Sequence, residues 1–236
     1  MVPHASTSFA ANQILASLSR PSHRRLRATA EVVELTYGDV LDEPASEIRF
    51  VYFPADCLVS LLTAVDKERT LEVGMVGHEG MVGMPVTLGV RTSAVRALVQ
   101  GSGTALRMPV ADLLKEFKDN ASLRKALLRY QYLLMAQISQ TAACNRFHEA
   151  EPRLARWLLM TSDRLNADEF RLTHEFLAHM LGVRRAGVTK AAGALERDKS
   201  IEYRRGHIRI LSRKRLEAGA CGCYRIVQDL QRALPA

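Results

Sequence analysis

Thr173-His-Glu-Phe-Leu-Ala-His-Met-Leu-Gly182-Val-Arg-Arg-Ala-Gly-Val188-Thr-Lys-Ala-Ala-Gly-Ala-Leu195 reads as a helix, a tight turn and a second helix. Thr173 is placed to cap the first helix, and Glu175 sits in its first turn, where the helix dipole favours a carboxylate. Leu177, Ala178 and Leu181 make an inner face. Gly182 supplies the positive φ that a sharp turn needs. Val188, Ala191 and Leu195 pack the second helix back. Arg184, Arg185, Thr189 and Lys190 then point outward from the N-terminal half of that helix, the half that a helix-turn-helix inserts into a major groove. His174 and His179 invite a zinc-protease reading, but they lie five residues apart. At ~100° per residue that is ~140° around the helix, so they cannot chelate one metal together.

Downstream, Ile201 to Leu211 alternates as two short strands about Arg205-Gly206, with Arg204, Arg205 and Arg209 making a basic hairpin. From Arg171 to Arg215 there are twelve basic and four acidic residues, a local excess equal to the whole chain's net charge of +8. Concentrated Lys and Arg suit a polyanion, whose condensed counterions they displace.

Upstream, residues 121–147 form one long helical pattern in which Leu123, Leu127, Tyr130, Leu134, Ile138 and Thr141 recur along one stripe. Leu128, Leu133 and Ala136 lie away from it. Such a stripe fits a seam between two copies as well as it fits a core helix covered within one chain. Residues 151–165 are a further amphipathic helix, with Trp157 on the inner side. Between residues 31 and 108, short runs rich in Val, Leu, Ile and Tyr alternate with turn-forming pieces, which predicts a β-sandwich, roll or barrel. The first 27 residues read as a polar lead with a short helix near Ala10–Leu18.

The 236 residues are 47% hydrophobic and 25% charged, ample for a core. The N-terminus lacks an apolar stretch ending in a small-residue cleavage site, and no apolar run approaches the ~20 residues of a membrane span. These features predict a soluble cytoplasmic protein with no membrane partner. Cys57, Cys144, Cys221 and Cys223 are scattered, and Cys221-Gly-Cys223 is the one close pair. A metal or iron–sulfur site would need Cys57 or Cys144 brought to that pair. Nothing in the spacing supports one, so the expectation is free thiols, with no metal and no cofactor. G-x-S-x-G, the phosphate-binding G-x-x-x-x-G-K-[ST] and a G-x-G-x-x-G after a strand are all missing, which argues against an enzyme and a catalytic residue set.

From about Ala30 to Leu211 the sequence resembles the Crp/Fnr family of bacterial transcription regulators. The resemblance rests on the β-rich region, the long helix, Arg171-Leu-Thr-His-Glu-Phe-Leu-Ala-His-Met-Leu-Gly-Val-Arg-Arg-Ala-Gly-Val-Thr and the basic hairpin. It implies an α+β chain: an N-terminal β-roll like those that bind cyclic nucleotides, a long dimerisation helix and a C-terminal winged helix-turn-helix. The corresponding divisions are a lead at 1–29, a sensor at 30–120, the helix at 121–147 and the DNA-binding domain at 148–236. It also implies a homodimer about the Leu123, Leu127, Tyr130, Leu134 and Ile138 stripe, and double-stranded DNA, RNA polymerase and an unidentified small-molecule effector as partners. By position, Arg185 and Lys190 match residues that touch bases in the family, with Thr173, Arg184, Thr189, Arg204, Arg205 and Arg209 beside them. Ala186 stands where the family has a glutamate, so the operator should depart from the best-known consensus. The effector pocket maps to Gly83, Met84, Arg91, Thr92 and Ser93. Members that bind cyclic AMP use a Gly-Glu pair and an Arg-Ser/Thr-Ala segment, whereas Met84 replaces the glutamate here and Arg91 is displaced by one residue. Each loss should weaken a cyclic nucleotide by a few kcal/mol. The competing reading is a small-molecule-binding module whose basic domain contacts protein instead of DNA.

Overall fold

The structure, a computed structural model, describes residues 9–64, 66 and 69–234. Residues 1–8 of the expected lead and residues 235–236 lie outside these. The chain folds into two compact units. One comprises 1–62, 75–135 and 234–236, the other 63–74 and 136–233.

Residues 31–109 carry antiparallel strands: β1 (Glu31–Leu35), β2 (Val40–Asp42), β3 (Phe50–Pro54), β4 (Leu58–Ala64), β5 (Thr70–Val76), β6 (Arg96–Gly101) and β7 (Gly103–Pro109), of which residues 63–64 and 70–74 fall in the second unit. They form a three-stranded sheet ordered β1-β7-β3 and a four-stranded sheet ordered β2-β6-β4-β5. Tight turns between strands and the register Glu31↔Arg107 through Leu35↔Gly103 set which side chains face inward. Val51, Phe53, Val59, Val99, Leu106 and Met108 fill the core. The strand runs expected from the sequence are present; the three-residue β2 was too short to show a period.

The lead is less polar than its sequence suggested. Among its described residues are the helices α1 (Gln13–Ala16) and α2 (Arg20–Arg27), which bury Ile14, Leu15 and Leu26. Asn12 caps α1 through its side chain and is itself buried, its Nδ2 donating to the carbonyls of Pro54 and Gly80 at 2.9 Å each. One amide thus ties the segment to two turns of the β-unit.

After β7 come α3 (Val110–Asp119) and the long α4 (Ala121–Phe147). In the part of α4 that belongs to the first unit, Leu123, Leu127 and Tyr130 are buried within the chain. That removes these three from the expected seam between copies. They cover their own β-unit, while Leu128, Tyr132 and Met135 stay exposed, Met135 at 59%.

The second unit contains α5 (Ala150–Leu165), β8 (Glu169–Arg171), α6 (His174–Leu181), α7 (Arg185–Arg197), β9 (Ile201–Arg204), β10 (His207–Ile210), α8 (Arg213–Gly219) and α9 (Cys223–Ala233). The strands pair as β8-β10-β9. Leu154, Leu158, Leu177, Leu181, Val188, Leu195, Ile208 and Leu216 are its buried centre. Trp157 belongs to this core, as its position on α5 indicated, and its Nε1 donates to the buried Glu72 at 2.8 Å. On α6 the third buried side chain is Met180, and Ala178, expected on the inner face, is only half-buried.

Gly80 marks the tightest approach in the first unit. A Cβ there would lie 2.1 Å from Cζ of Tyr130. Gly80→Ala should therefore cost about 1–3 kcal/mol or more by overpacking. Urea denaturation reads the loss, and adding Tyr130→Ala in the same chain should recover part of it, a non-additivity expected only if the two side chains collide.

Candidate nucleic-acid interface

The turn between α6 and α7 follows from its residues. The Thr173 hydroxyl accepts from Phe176 N at 3.1 Å, capping α6 at its start. Gly182 ends the helix at φ +61, a left-handed conformation that costs a residue with a Cβ. A Cβ at Gly182 would also meet Leu71 Cδ1 at 2.6 Å. Arg184 then occupies the N-cap position of α7 and Arg185 its first turn. Val188, Ala191 and Leu195 face inward and are buried, which leaves Arg184, Arg185, Ala186, Thr189 and Lys190 exposed on the other side. Arg184, Arg185 and Lys190 have no ion-pair partner among the described residues, so nothing must be broken before they meet a phosphate or a base.

The hairpin turns at Arg205 and Gly206, both left-handed with φ +47 and +81, as a two-residue loop between right-twisted strands requires. Arg205 is exposed at the tip. Arg204 and Arg209 sit on the strands and pair with Glu202 at 2.8 Å and Glu169 at 3.1 Å. Both are solvent-exposed pairs, worth about 0–1 kcal/mol each, and are readily exchanged for a phosphate. Thr173, Arg184, Arg185, Thr189, Lys190, Arg204, Arg205 and Arg209 all lie within the second unit, and all are exposed.

His174, weighed from the sequence only as a metal ligand, and Tyr203, not singled out at all, organise this surface. The His174 ring stacks on Tyr203 of β9 with centroids 4.3 Å apart, and its Nδ1 lies 3.0 Å from the Thr189 hydroxyl on α7. Tyr203 in turn donates its hydroxyl to the Leu172 carbonyl and its backbone N–H to Glu196. His174 therefore joins α6, α7 and the hairpin. Burial, then the nearby Arg185 charge, lowers its pKa against an opposing pull from Glu196, and the neutral ring is favoured. Its position one residue after the capping threonine was the available signal; the sequence offered no sign of the strand partner.

The expected effector residues lie in the first unit. Gly83 adopts φ +94 and leads into a short 3-10 turn, Met84–Leu88, whose Met84 side chain is buried. Arg91 is exposed and 3.6 Å from Glu47, Thr92 bridges to Glu47, and the buried Ser93 hydroxyl donates to the Val95 carbonyl at 2.6 Å. Arg91 and Ser93 are thus already partnered within the protein.

The cysteines differ from what their spacing suggested. The fold brings Cys144, at the end of α4, to Cys221 and Cys223 at the start of α9, with His148 beside them, while Cys57 is buried in the first unit. The hydrogen bond with Cys221 lowers the Cys144 pKa, against desolvation and with help from the Arg156 charge, and Cys221 is pushed up in turn.

Comparison with known proteins agrees with this geometry. Residues 152–218 match the Crp-like helix-turn-helix domain. No curated protein matches the chain. Among solved structures, FixK2 from Bradyrhizobium japonicum aligns with a TM-score of 0.70 at 14% identity, covering 82% of this chain and 98% of that one. The c-di-GMP responsive global regulator CLP of Xanthomonas campestris aligns with a TM-score of 0.68 at 16% identity, covering 82% and 100%. A Crp/Fnr family transcriptional regulator from Thermus thermophilus shares 25% identity with a TM-score of 0.54, covering 80% and 98%. No helix among the described residues is long and apolar enough to cross a membrane.

The depressed pKa of His174 has a definite sign. The folded state favours the neutral ring, so its contribution to stability is intact above the ordinary imidazole pKa and is lost as pH falls through and below it. The DNA-free protein should lose thermal stability between about pH 7.5 and 5.5, and His174→Gln should flatten that dependence while leaving the value at the upper end closer to wild type. A set of melting curves across this range is the check, and equal slopes for both proteins would contradict it.

Proposed function

We propose that the chain, a DNA-binding transcription regulator of the Crp/Fnr type, acts as a homodimer on a pseudo-palindromic operator. Each α7 enters a major groove, with half-sites about one helical turn, ~34 Å, apart. The observation that carries this reading is the exposed row of Arg184, Arg185, Thr189 and Lys190 on the first turns of α7, beside an arginine-tipped hairpin. Arg185 supplies the base contact, since a guanidinium can hold guanine O6 and N7 as a fork. Lys190 lies along the same exposed side, and Arg184, Arg204, Arg205 and Arg209 serve chiefly the backbone. Thr189 is committed partly to its own helix, donating to the Arg185 carbonyl at 3.1 Å, and Thr173 to its capping bond. Those two position the reading side chains.

For the dimer, the exposed apolar residues Leu128, Tyr132 and Met135 succeed one another at spacings of four and three on one side of α4, and an operator with two-fold symmetry requires two copies. Leu134 and Ile138 from the sequence-derived stripe are half-buried and flank this seam. The first unit is proposed to sense a ligand other than cyclic AMP, because Met84 offers no carboxylate to a ribose. RNA polymerase is the proposed further partner, and the cytoplasm the proposed location.

Four measurements test the proposal. Arg185→Ala should lose about 1–3 kcal/mol of discrimination at one base pair per half-site, read by binding-site selection. Arg205→Ala should weaken all sequences alike and reduce the slope of log K against log salt by roughly one. Wild-type preference and affinity in both variants would exclude this surface from DNA reading. Met135→Glu changes a residue already in solvent, so each chain should keep its fold; sedimentation should show monomers, and operator binding should fall with dimer content. A stable dimer of that variant would move the seam elsewhere. Cyclic AMP should produce no saturable heat in calorimetry at micromolar concentrations.

A further inference from the structure

Three cysteines and a histidine, far apart in sequence, converge in the second unit. Cys144 lies in the last turn of α4 and His148, four residues on, is the first residue beyond it. The His148 N–H donates to the Cys144 carbonyl at 3.1 Å, which fixes the spacing of the pair. Cys221 and Cys223 flank Gly222 where α9 begins. The Cys144 and Cys221 sulfurs are 3.4 Å apart, Cys223 Sγ is 3.6 Å from His148 Nδ1, and all four ligand atoms lie within 4.8 Å of one another.

We propose that Cys144, His148, Cys221 and Cys223 form a structural zinc site that fastens α9 to the end of α4. A zinc ion sits ~2.3 Å from thiolate sulfur and ~2.0–2.1 Å from imidazole nitrogen, so a tetrahedron of such ligands has edges of ~3.6–3.8 Å. The two measured edges lie close to this size; the Cys144–Cys221 pair must open slightly and the wider separations, up to 4.8 Å, must close. An iron–sulfur cluster spreads its four ligands over two or more iron atoms and needs a wider frame than these four provide. Three sulfurs and one imidazole in a tetrahedral arrangement select zinc among the common divalent ions.

The surroundings suit the charge that such a site carries. All three cysteines bind as thiolates, giving up to solvent whatever protons they still carry, and three thiolates, Zn²⁺ and a neutral imidazole sum to −1. Arg153 and Arg156, both buried on α5, are the nearby cations: the Arg156 charge acts on Cys144, and Arg153 feels Cys144 and Cys221. The Nε of each finds no hydrogen-bond partner among the described residues. Gln140 supplies an outer contact, donating from Nε2 to Cys223 Sγ at 3.0 Å, as hydrogen bonds to ligating sulfur do in settled metal sites. Three ligands are buried and His148 is exposed, which gives the ion a route in and leaves no open coordination position for chemistry.

The experiment uses the full chain, purified under reducing conditions without chelator. Elemental analysis should find one zinc per chain. Replacement by cobalt should give the intense visible absorption of a tetrahedral thiolate site. His148→Gln alters an exposed residue and should fold. It should weaken zinc affinity by more than the ~10–100-fold typical of outer-contact changes, measured by competition with a chromogenic chelator. Cys221→Ser with Cys223→Ser should abolish stoichiometric binding, with circular dichroism reporting whether the rest remains folded. Zinc removal from the wild type should expose α9 to protease before α7. The proposal is overturned by a wild-type chain that neither contains nor takes up one equivalent of zinc or cobalt. A Cys144–Cys221 disulfide in place of metal, iron with acid-labile sulfide, or full zinc content in the double serine variant would each overturn it too.

Discussion

The second unit hangs on one buried guanidinium. Arg153, on the first turn of α5, donates through Nη2 to the Leu181 carbonyl at the end of α6 and to Asn145 Oδ1 on α4 at 2.8 Å. It is 7% exposed, and desolvation lowers its pKa, yet a cation at the C-terminal end of α6 is favoured by that helix's dipole. Charge-assisted hydrogen bonds of this type contribute about 1.5–3 kcal/mol each, enough to offset much of the cost of burial. The turn that aims α7 therefore starts from a fixed point, and the exposed arginines beyond it inherit that placement. Trp157, one helical turn along α5, adds the bond to Glu72 and an edge contact with Phe176 on α6.

The surface proposed to read DNA was legible because its information is local. Thr173, Gly182, the buried trio Val188, Ala191 and Leu195, and the Arg205-Gly206 turn each obey rules that operate within a few residues, and the structure places all of them as those rules require. What escaped was of longer range. β8 has three residues, too few for alternation to register, and it exists because β10 offers it a partner. Arg153 gave no signal on an amphipathic helix, where an arginine is ordinarily a surface residue. The lead segment looked polar because exposed arginines alternate with its buried side chains, while Asn12 and Ser22 are polar groups spent on internal hydrogen bonds.

The long helix shows where periodicity stops. The stripe through Leu123, Leu127 and Tyr130 is real, and spacing along a helix does identify residues that share a side. It does not say what they meet. In the structure they meet their own β-unit, and the side left open carries Leu128, Tyr132 and Met135 instead. The cysteines make the same point in reverse. Their separation in sequence argued for unrelated thiols, while the return of the chain after α8 brings two of them to the end of α4. Spacing rules detect metal sites built from one loop or one helix and miss those assembled from two ends of a fold.

The DNA-reading unit is not one stretch of chain. Residues 63–74 cluster with 136–233, and from that excursion come Glu72, which satisfies the Trp157 indole, and Leu71, which fills the space over Gly182. A chimera assembled by cutting at the start of α5 and pasting the remainder onto another sensor would carry an indole N–H without its acceptor and a helix turn without its lid. Swaps between regulators of this architecture should be drawn with two inserts, the short β4–β5 tip travelling with the reader. Over evolutionary time the same requirement would make substitutions at positions 71 and 72 follow those at 157 and 182, so that the tip and the reader descend together.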